Sequence, residues 1–508
     1  MRGLEPTGQN KKELMTLSAN SITIYYMKKA FLTAVTALMI TLSVFSSPQK
    51  EMNPASQLLN SQIRGKLEVP EPIASEPQIS EILYSLSNLY SFLDQNFLYE
   101  IDMDELEENM VSALVDSLGD KYSYYVSEKD AQQYETNYEG EYVGIGTYLV
   151  KMNPAYAEPG KKETYMIIIT SPFPGGPADK AGLRANDMIS HINGEDISEL
   201  DGTAASKKLR GKAGEELTIT VHRGNSVFDL TLKPEKVVVP TVVGGMLNDE
   251  IAYMNIIEFA NTTSQKVEEE LLKLMDEGMK GLVIDMRNNP GGTVQPALDI
   301  ADMLLGENII ITVKYKEGSG NRNVSYGSGK STIIPEDIPI CVLINGGTAS
   351  ASEILTASLC ENDRAFSIGD TSFGKGIMQS VIPYGNGFIQ FTSANYYTPN
   401  GNNIHEKGIT PDILIPEREF TDEEMDAYAK FMEEDRIKPF REEHPEYTFE
   451  NTELFAETYK DSGVPKEILT SLITKEYIYS MEIEDRPLVD VYYDDVLKRA
   501  IEELENRI

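Results

Sequence analysis

From Ile251 onward, short apolar runs alternate with longer amphipathic ones, and this alternation restricts the chain more than any other feature. Strands are expected at Ile251–Ile256, Gly281–Asp285, Ile309–Tyr315 and 338–344, and helices at 264–277, 294–305 and 350–360. Strands that alternate with helices form parallel sheets covered by helices, so the core is an α/β layer structure. With 508 residues the chain is too long for one ordinary domain.

Before this core, residues 78–116 carry apolar residues at helical spacing and read as two helices, and 119–140 reads as a short connecting helix. Strand-like pieces at 142–150, 165–169, 216–222 and 227–233 surround two short helical stretches. After Pro416 the pattern is acidic and helical to the end. The expected division is an upstream extension and signal peptide at 1–47, a linker at 48–75 and a helical region at 76–139. A domain at 140–236, the α/β core at 237–418 and an acidic helical region at 419–508 follow.

The formal net charge is −36. A chain this acidic is a poor partner for nucleic acid, whose phosphates it repels. Lys28 and Lys29 precede an apolar run from Ala30 to Phe45, followed by Ser46, Ser47 and Pro48. That order is the one of an export signal, so an exported, periplasmic or envelope location is expected, with a membrane tether if the segment stays uncleaved. Cys341 and Cys360, the two cysteines, cannot build a disulfide scaffold. Buried thiols or a single disulfide are both open.

Three segments carry chemistry. In Asn345-Gly346-Gly347-Thr348-Ala349-Ser350-Ala351, an apolar strand runs through small residues into a helix. A hydroxyl at such a turn meets free backbone N–H groups and the positive end of a helix, although Ser is also a common helix cap. The chain's four histidines sit in no recognisable serine-histidine motif. The alternative base is a lysine made less basic by burial, and Phe373-Gly374-Lys375-Gly376 offers one, with the amide of Gln379 four residues on. Asp285-Met286-Arg287-Asn288-Asn289-Pro290-Gly291-Gly292 joins a strand to a helix and can present backbone N–H groups.

In order and spacing these segments resemble the C-terminal processing (tail-specific) proteases of peptidase family S41, and Gly408-Ile409-Thr410-Pro411-Asp412 adds a fourth marker. The resemblance implies a crotonase-like α/β serine protease core with Ser350 as nucleophile, Lys375 as general base and Gln379 orienting Lys375. The N–H groups of Ala351 and of Gly291 or Gly292 would form the oxyanion hole. Neither a metal nor another cofactor is implied. The family often has Asp-Pro-His before its Ser-x-Tyr, so Gly119-Asp120-Lys121 here is a departure, without evident catalytic consequence.

Residues 140–236 resemble an inserted PDZ domain, with Val143-Gly144-Ile145-Gly146 as the loop that captures a peptide's C-terminal carboxylate. Asn186 stands where the family usually has glycine. Arg210 matches a position that links PDZ and active site in some relatives, and a surface charge is the plain alternative. The implied partners are proteins or peptides with accessible C-termini, and a homo-oligomer is open. Two other readings compete: a catalytically silent PDZ-bearing scaffold protein, and a crotonase-like enzyme acting on acyl-CoA, which leaves the PDZ-like segment without a purpose.

Overall fold

The computed structural model describes residues 77–128, 141–151, 162, 165–173, 175–184, 187–223, 226–385, 387–418, 421–434, 436–481, 486–491 and 493–508. The signal-like run, the linker at 48–75 and Asn186 lie outside the described residues. Among the described residues no helix is long and apolar enough to cross a membrane.

The core is a six-stranded sheet in the order Val242–Met246, Ile251–Ile256, Gly281–Asp285, Ile340–Ile344, Ala365–Gly369, Ile413–Leu414. The first pair is antiparallel and the rest are parallel. The two central strands are buried along their whole length, as a parallel sheet covered on both faces requires. Alternate residues take opposite faces. Met254, Ile284 and Val342 pack against the helices Thr263–Asp276, Val294–Leu304 and Ala351–Cys360, whereas Tyr253, Val283 and Leu343 face the other side. That second side is closed by Leu497, Ala500 and Leu504 of the helix Asp495–Glu505. The end of the chain therefore completes the core.

A second sheet runs Tyr124–Val126, Gly387–Tyr397, Ile309–Tyr315, Val324–Gly327, with Ile377–Tyr384 also paired to Gly387–Tyr397. The expected connecting helix at 119–140 is thus corrected in its described part. Tyr124–Val126 is a strand, because an edge of this sheet offers its backbone a partner that local propensity does not record.

The PDZ-like unit has its own apolar core, built on Ile167, Ile189, Ile219 and Val221. The continuous strand expected at 142–150 is two, Glu141–Gly144 and Thr147–Val150. They are separated at Gly146, whose φ of 71° no strand accommodates. The acidic region forms a small bundle of Asp422–Glu433, Ile437–Glu443, Phe449–Thr458 and Lys466–Ser480 around Phe431, Phe455 and Tyr477. Both thiols are free.

The helices Pro77–Asn96 and Met103–Asp116 form as expected, but most of their apolar positions are not covered, Val115 being buried. Leu83 is 60% exposed and Phe92 62%, and Ile82, Leu93 and Leu114 are exposed too.

Candidate active site

Ser350, itself buried, stands at the end of the turn after the strand Ile340–Ile344 and directly before the helix Ala351–Cys360. Its φ is +57°, a backbone conformation that a non-glycine residue adopts only when its surroundings hold it there. Thr348 and Ser352 serve packing. Thr348 Oγ1 donates to the Met286 carbonyl, and Ser352 Oγ to that of Asn289.

The holding group is Glu353, fully buried one turn into the helix. Its Oε2 accepts the backbone N–H of Ser350 at 2.8 Å and that of Lys375 at 2.8 Å. Its Oε1 accepts the Ser372 hydroxyl at 2.5 Å and the Gly374 N–H at 2.7 Å. One carboxylate thus ties the serine turn to the lysine loop. Burial raises the Glu353 carboxyl above its usual range, and the four hydrogen bonds oppose that rise. All four are donated to it, the pattern of an ionised carboxylate. Tyr396 Oη lies within hydrogen-bond distance of the carbonyl oxygens of Ser350 (3.2 Å) and of Lys375. The two sites are therefore neighbours at both their N–H and their C=O ends.

Lys375 is only 3% exposed. Its ammonium sits 4.8 Å from the centre of the Tyr122 ring. Burial pulls its pKa down to about 8; the charges of Glu353 and Asp120 limit the fall and that of Lys121 adds to it. A lysine in this position has a neutral amine available near neutral pH, as a proton acceptor needs.

The Asp120–Ser123 segment is where expectation from sequence fails. Asp120 accepts from Thr392 Oγ1 and Ser123 Oγ, and the Thr392 N–H donates to Ser123 Oγ. Burial alone would raise the Asp120 carboxyl, but these hydroxyls and the Tyr122 N–H hold it below its usual range. The departure at Gly119-Asp120-Lys121 is therefore not remote from the chemistry: Asp120 and Lys121 act on Lys375 by charge, and the neighbouring Tyr122 meets it with its ring.

Gln379 requires a second adjustment. Lys375 precedes the strand Ile377–Tyr384, and a bulge at Met378/Gln379 breaks the alternation that would put 375 and 379 on one face. The Gln379 amide nitrogen approaches Thr392 Oγ1 at 3.4 Å, so it joins the group around Asp120.

The loop at 285–292 lies against the serine turn. The Asn289 carbonyl accepts from the Ala349 N–H and from Ser352 Oγ. Gly291 has φ +98°, and a Cβ there would come within 2.8 Å of Ser350 Cβ and 2.9 Å of the Ala351 nitrogen. Only glycine allows this approach. The Gly291 N–H is taken by Asn289 Oδ1 at 2.9 Å, whereas the Gly292 N–H has no hydrogen-bond partner among the described residues. The Ala351 N–H, first in its helix, has no intrahelical partner.

In the PDZ-like unit, the Tyr142 ring covers Gly144 so closely that a Cβ there would collide with it at 2.3 Å. The Ala178 N–H donates to the Ile145 carbonyl, the Phe173 N–H donates to the Gly146 carbonyl, and Val143 is exposed. Arg210 lies with its guanidinium 5.5 Å from the Tyr142 ring centre. It is thus placed beside the Tyr142–Gly146 segment of its own domain.

Residues 250–415 match the model of peptidase family S41, and residues 168–223 match a PDZ domain model. The segment 250–415 is thus similar to peptidase family S41. Among curated proteins it is similar to the "Probable CtpA-like serine protease" of Staphylococcus aureus (strain N315), at 32% identity over 334 residues. That alignment covers 66% of this chain and 64% of the relative. The protein of the same name from Staphylococcus saprophyticus is also 32% identical, over 65% of each chain. The chain therefore spans somewhat less than two thirds of the length of these relatives. Among solved structures, the photosystem II D1 C-terminal processing protease is 24% identical, with a TM-score of 0.40 over 66% of this chain and 86% of that one.

Four residues around Ser350 and Lys375 are given no role by the sequence: Glu353, Tyr396, Tyr122 and Asp120. Only Glu353 left a local signal. Ser350-Ala351-Ser352-Glu353 is the Ser-x-x-Glu pattern of a capping box, in which the Glu carboxylate returns to the N–H of the Ser.

Proposed function

We propose that this protein is a serine endopeptidase in which Ser350 attacks the scissile carbonyl and Lys375 is the general base. The observation that carries this reading is the buried Lys375, tied through one Glu353 oxygen to the backbone of a strained Ser350. The neutral Lys375 amine takes the Ser350 hydroxyl proton as Oγ bonds to the carbonyl carbon. The resulting oxyanion is received by the N–H groups of Ala351 and Gly292. Collapse breaks the C–N bond, and Lys375 returns the proton to the leaving amine. Water then repeats the sequence on the acyl-enzyme, giving a new carboxylic acid and free Ser350.

The PDZ domain would capture the substrate's C-terminal carboxylate on the N–H groups of Val143–Gly146, with Arg210 close by as a positive charge. Substrates on this reading are exported proteins with accessible apolar C-termini, and the charge pattern of the first 48 residues supports export. The test uses an unstructured peptide with a free apolar C-terminus. The wild type is expected to cleave it, Ser350→Ala is not, and C-terminal amidation should slow cleavage. Equal cleavage by wild type and Ser350→Ala sinks the catalytic assignment; no effect of amidation sinks the carboxylate reading alone.

A homo-oligomer is proposed as well. The exposed apolar residues of Pro77–Asn96 and Met103–Asp116 suit a second copy of the same helices. Light scattering on the purified chain should give a multiple of the monomer mass, lost on Leu83→Glu with Phe92→Glu. A monomer at micromolar concentration would contradict it.

A further inference from the structure

The strand-to-helix loop that carries Gly291 and Gly292 is held at both ends. At its glycine end it is bonded to the serine turn through Asn289. At its other end stands Arg287, whose guanidinium is mostly buried, with 19% of the side chain exposed. Nε and Nη2 donate to the Asp285 carboxylate at 2.6 to 3.1 Å. Nη1 and Nη2 donate to Asp494 Oδ1 and Oδ2 at 2.9 and 2.6 Å. Both are two-pronged pairs, the geometry that fixes a guanidinium most closely, so Arg287 is clamped between two carboxylates.

Asp494 stands immediately before the helix Asp495–Glu505 and caps it, its Oδ1 accepting the Leu497 N–H at 2.9 Å. This helix closes the back of the sheet through Leu497, Ala500 and Leu504. Asp494 lies well beyond the residues 250–415 that match the S41 model. It is thus a rigidly mounted carboxylate, aimed at the start of the candidate oxyanion loop from a part of the chain with no assigned role. Between Arg287 and Gly291 the backbone has little freedom. The Asn288 N–H donates to Asn345 Oδ1, Asn345 Nδ2 donates to Asn288 Oδ1, and Asn289 Nδ2 donates to the Ile256 carbonyl. A shift of Arg287 would pass along this bonded segment to the glycines.

We propose that Asp494 is a positioning residue for catalysis, setting the oxyanion loop through Arg287, so that the C-terminal helix is part of the working protease site. This rests on the peptidase reading above. Two duties of Asp494, capping a helix and holding Arg287, can be separated by substitution. Asn caps as well as Asp but cannot pair with a guanidinium as a charged fork. Glu keeps the charge but is a poorer cap.

The experiment measures kcat, KM and thermal midpoint for the full-length wild type, Asp494→Asn and Asp494→Glu, with Ser350→Ala as the inactive reference. Affinity for a peptide aldehyde, which forms a tetrahedral adduct with a serine hydroxyl, is measured beside them. Asp494→Asn is expected to lower kcat about tenfold or more, the scale of a displaced oxyanion donor. Its KM should be nearly unchanged, its midpoint should fall modestly because Arg287 keeps its pair with Asp285, and its aldehyde affinity should fall in proportion to kcat. Asp494→Glu is expected to retain more kcat than Asp494→Asn despite the weaker cap. Full kcat in Asp494→Asn, or loss of kcat that follows the midpoint across both variants, overturns the positioning role. A wild type no more active than Ser350→Ala overturns the peptidase reading instead. If Asp494→Asn is less stable, the aldehyde comparison made well below its midpoint decides: wild-type affinity there refutes the role.

Discussion

Lys375→Met should be both inactive and more stable than the wild type. Removing the base is expected to reduce peptide cleavage by at least ~10³-fold, since nucleophile and base act as a unit. The stability gain follows from proton linkage. The pKa of Lys375 falls from 10.5 to about 8 on folding because burial disfavours the ammonium. Between those values the unfolded chain binds more protons than the folded one, so this group's contribution to stability rises with pH. Below about pH 8 the folded protein holds a charged, buried amine at a cost of about 3 kcal/mol. Met has similar length and no charge, and it fills the same space against the Tyr122 ring. At pH 7 denaturant unfolding should therefore give Lys375→Met a stability about 2–3 kcal/mol above the wild type. The difference should vanish as pH approaches 10.5, the ordinary value for lysine. A variant no more stable at pH 7 would show that the ammonium is not strained by its burial.

Glu353→Gln is expected to have the opposite effect on stability. The carboxylate accepts two donors on each oxygen. An amide has one accepting oxygen, so its NH₂ must face either the Ser350 and Lys375 N–H groups or the Ser372–Gly374 pair. The second placement is the less damaging, because the Ser372 hydroxyl can turn to accept, but the Gly374 N–H is then left without its partner. A loss of about 2–3 kcal/mol is expected, the scale of one unsatisfied buried donor plus the loss of charged hydrogen bonds. A change in the pH profile accompanies it. The Glu353 charge supports the protonated form of Lys375, so its removal should move the rise in activity to lower pH. A variant that lost stability with its pH profile unmoved would make Glu353 a packing group without electrical contact with the base.

The sequence revealed different parts of this molecule to different degrees, for physical reasons. The central strands were legible because burial on both faces leaves an unbroken apolar run, as in Ile340-Cys341-Val342-Leu343-Ile344. Gly291 and Ser350 were legible because small residues between a strand and a helix mark a close backbone approach. Contacts between residues far apart in the chain left no such trace. Asp120 meets Thr392 across 272 positions, and Arg287 meets Asp494 across 207. Neither pair has periodicity or local spacing to betray it. Tyr124–Val126 is too short to show alternation and becomes a strand only beside Gly387–Tyr397. The exposed face of Pro77–Asn96 is the converse case. Helical periodicity identified the helix correctly, but periodicity alone does not say what covers the apolar side.

The most direct measurement on the Ser350–Lys375 pair is the pH dependence of acyl-enzyme formation in a single turnover, where chemistry limits the rate. With neutral Lys375 as the base, the rate should be low at pH 6 and rise about tenfold per pH unit below the lysine's pKa. It should level off above about pH 8, the value to which burial lowers this lysine. A rate independent of pH from 6 to 9, with Ser350→Ala still inactive, would leave Ser350 as the nucleophile and remove Lys375 as its base.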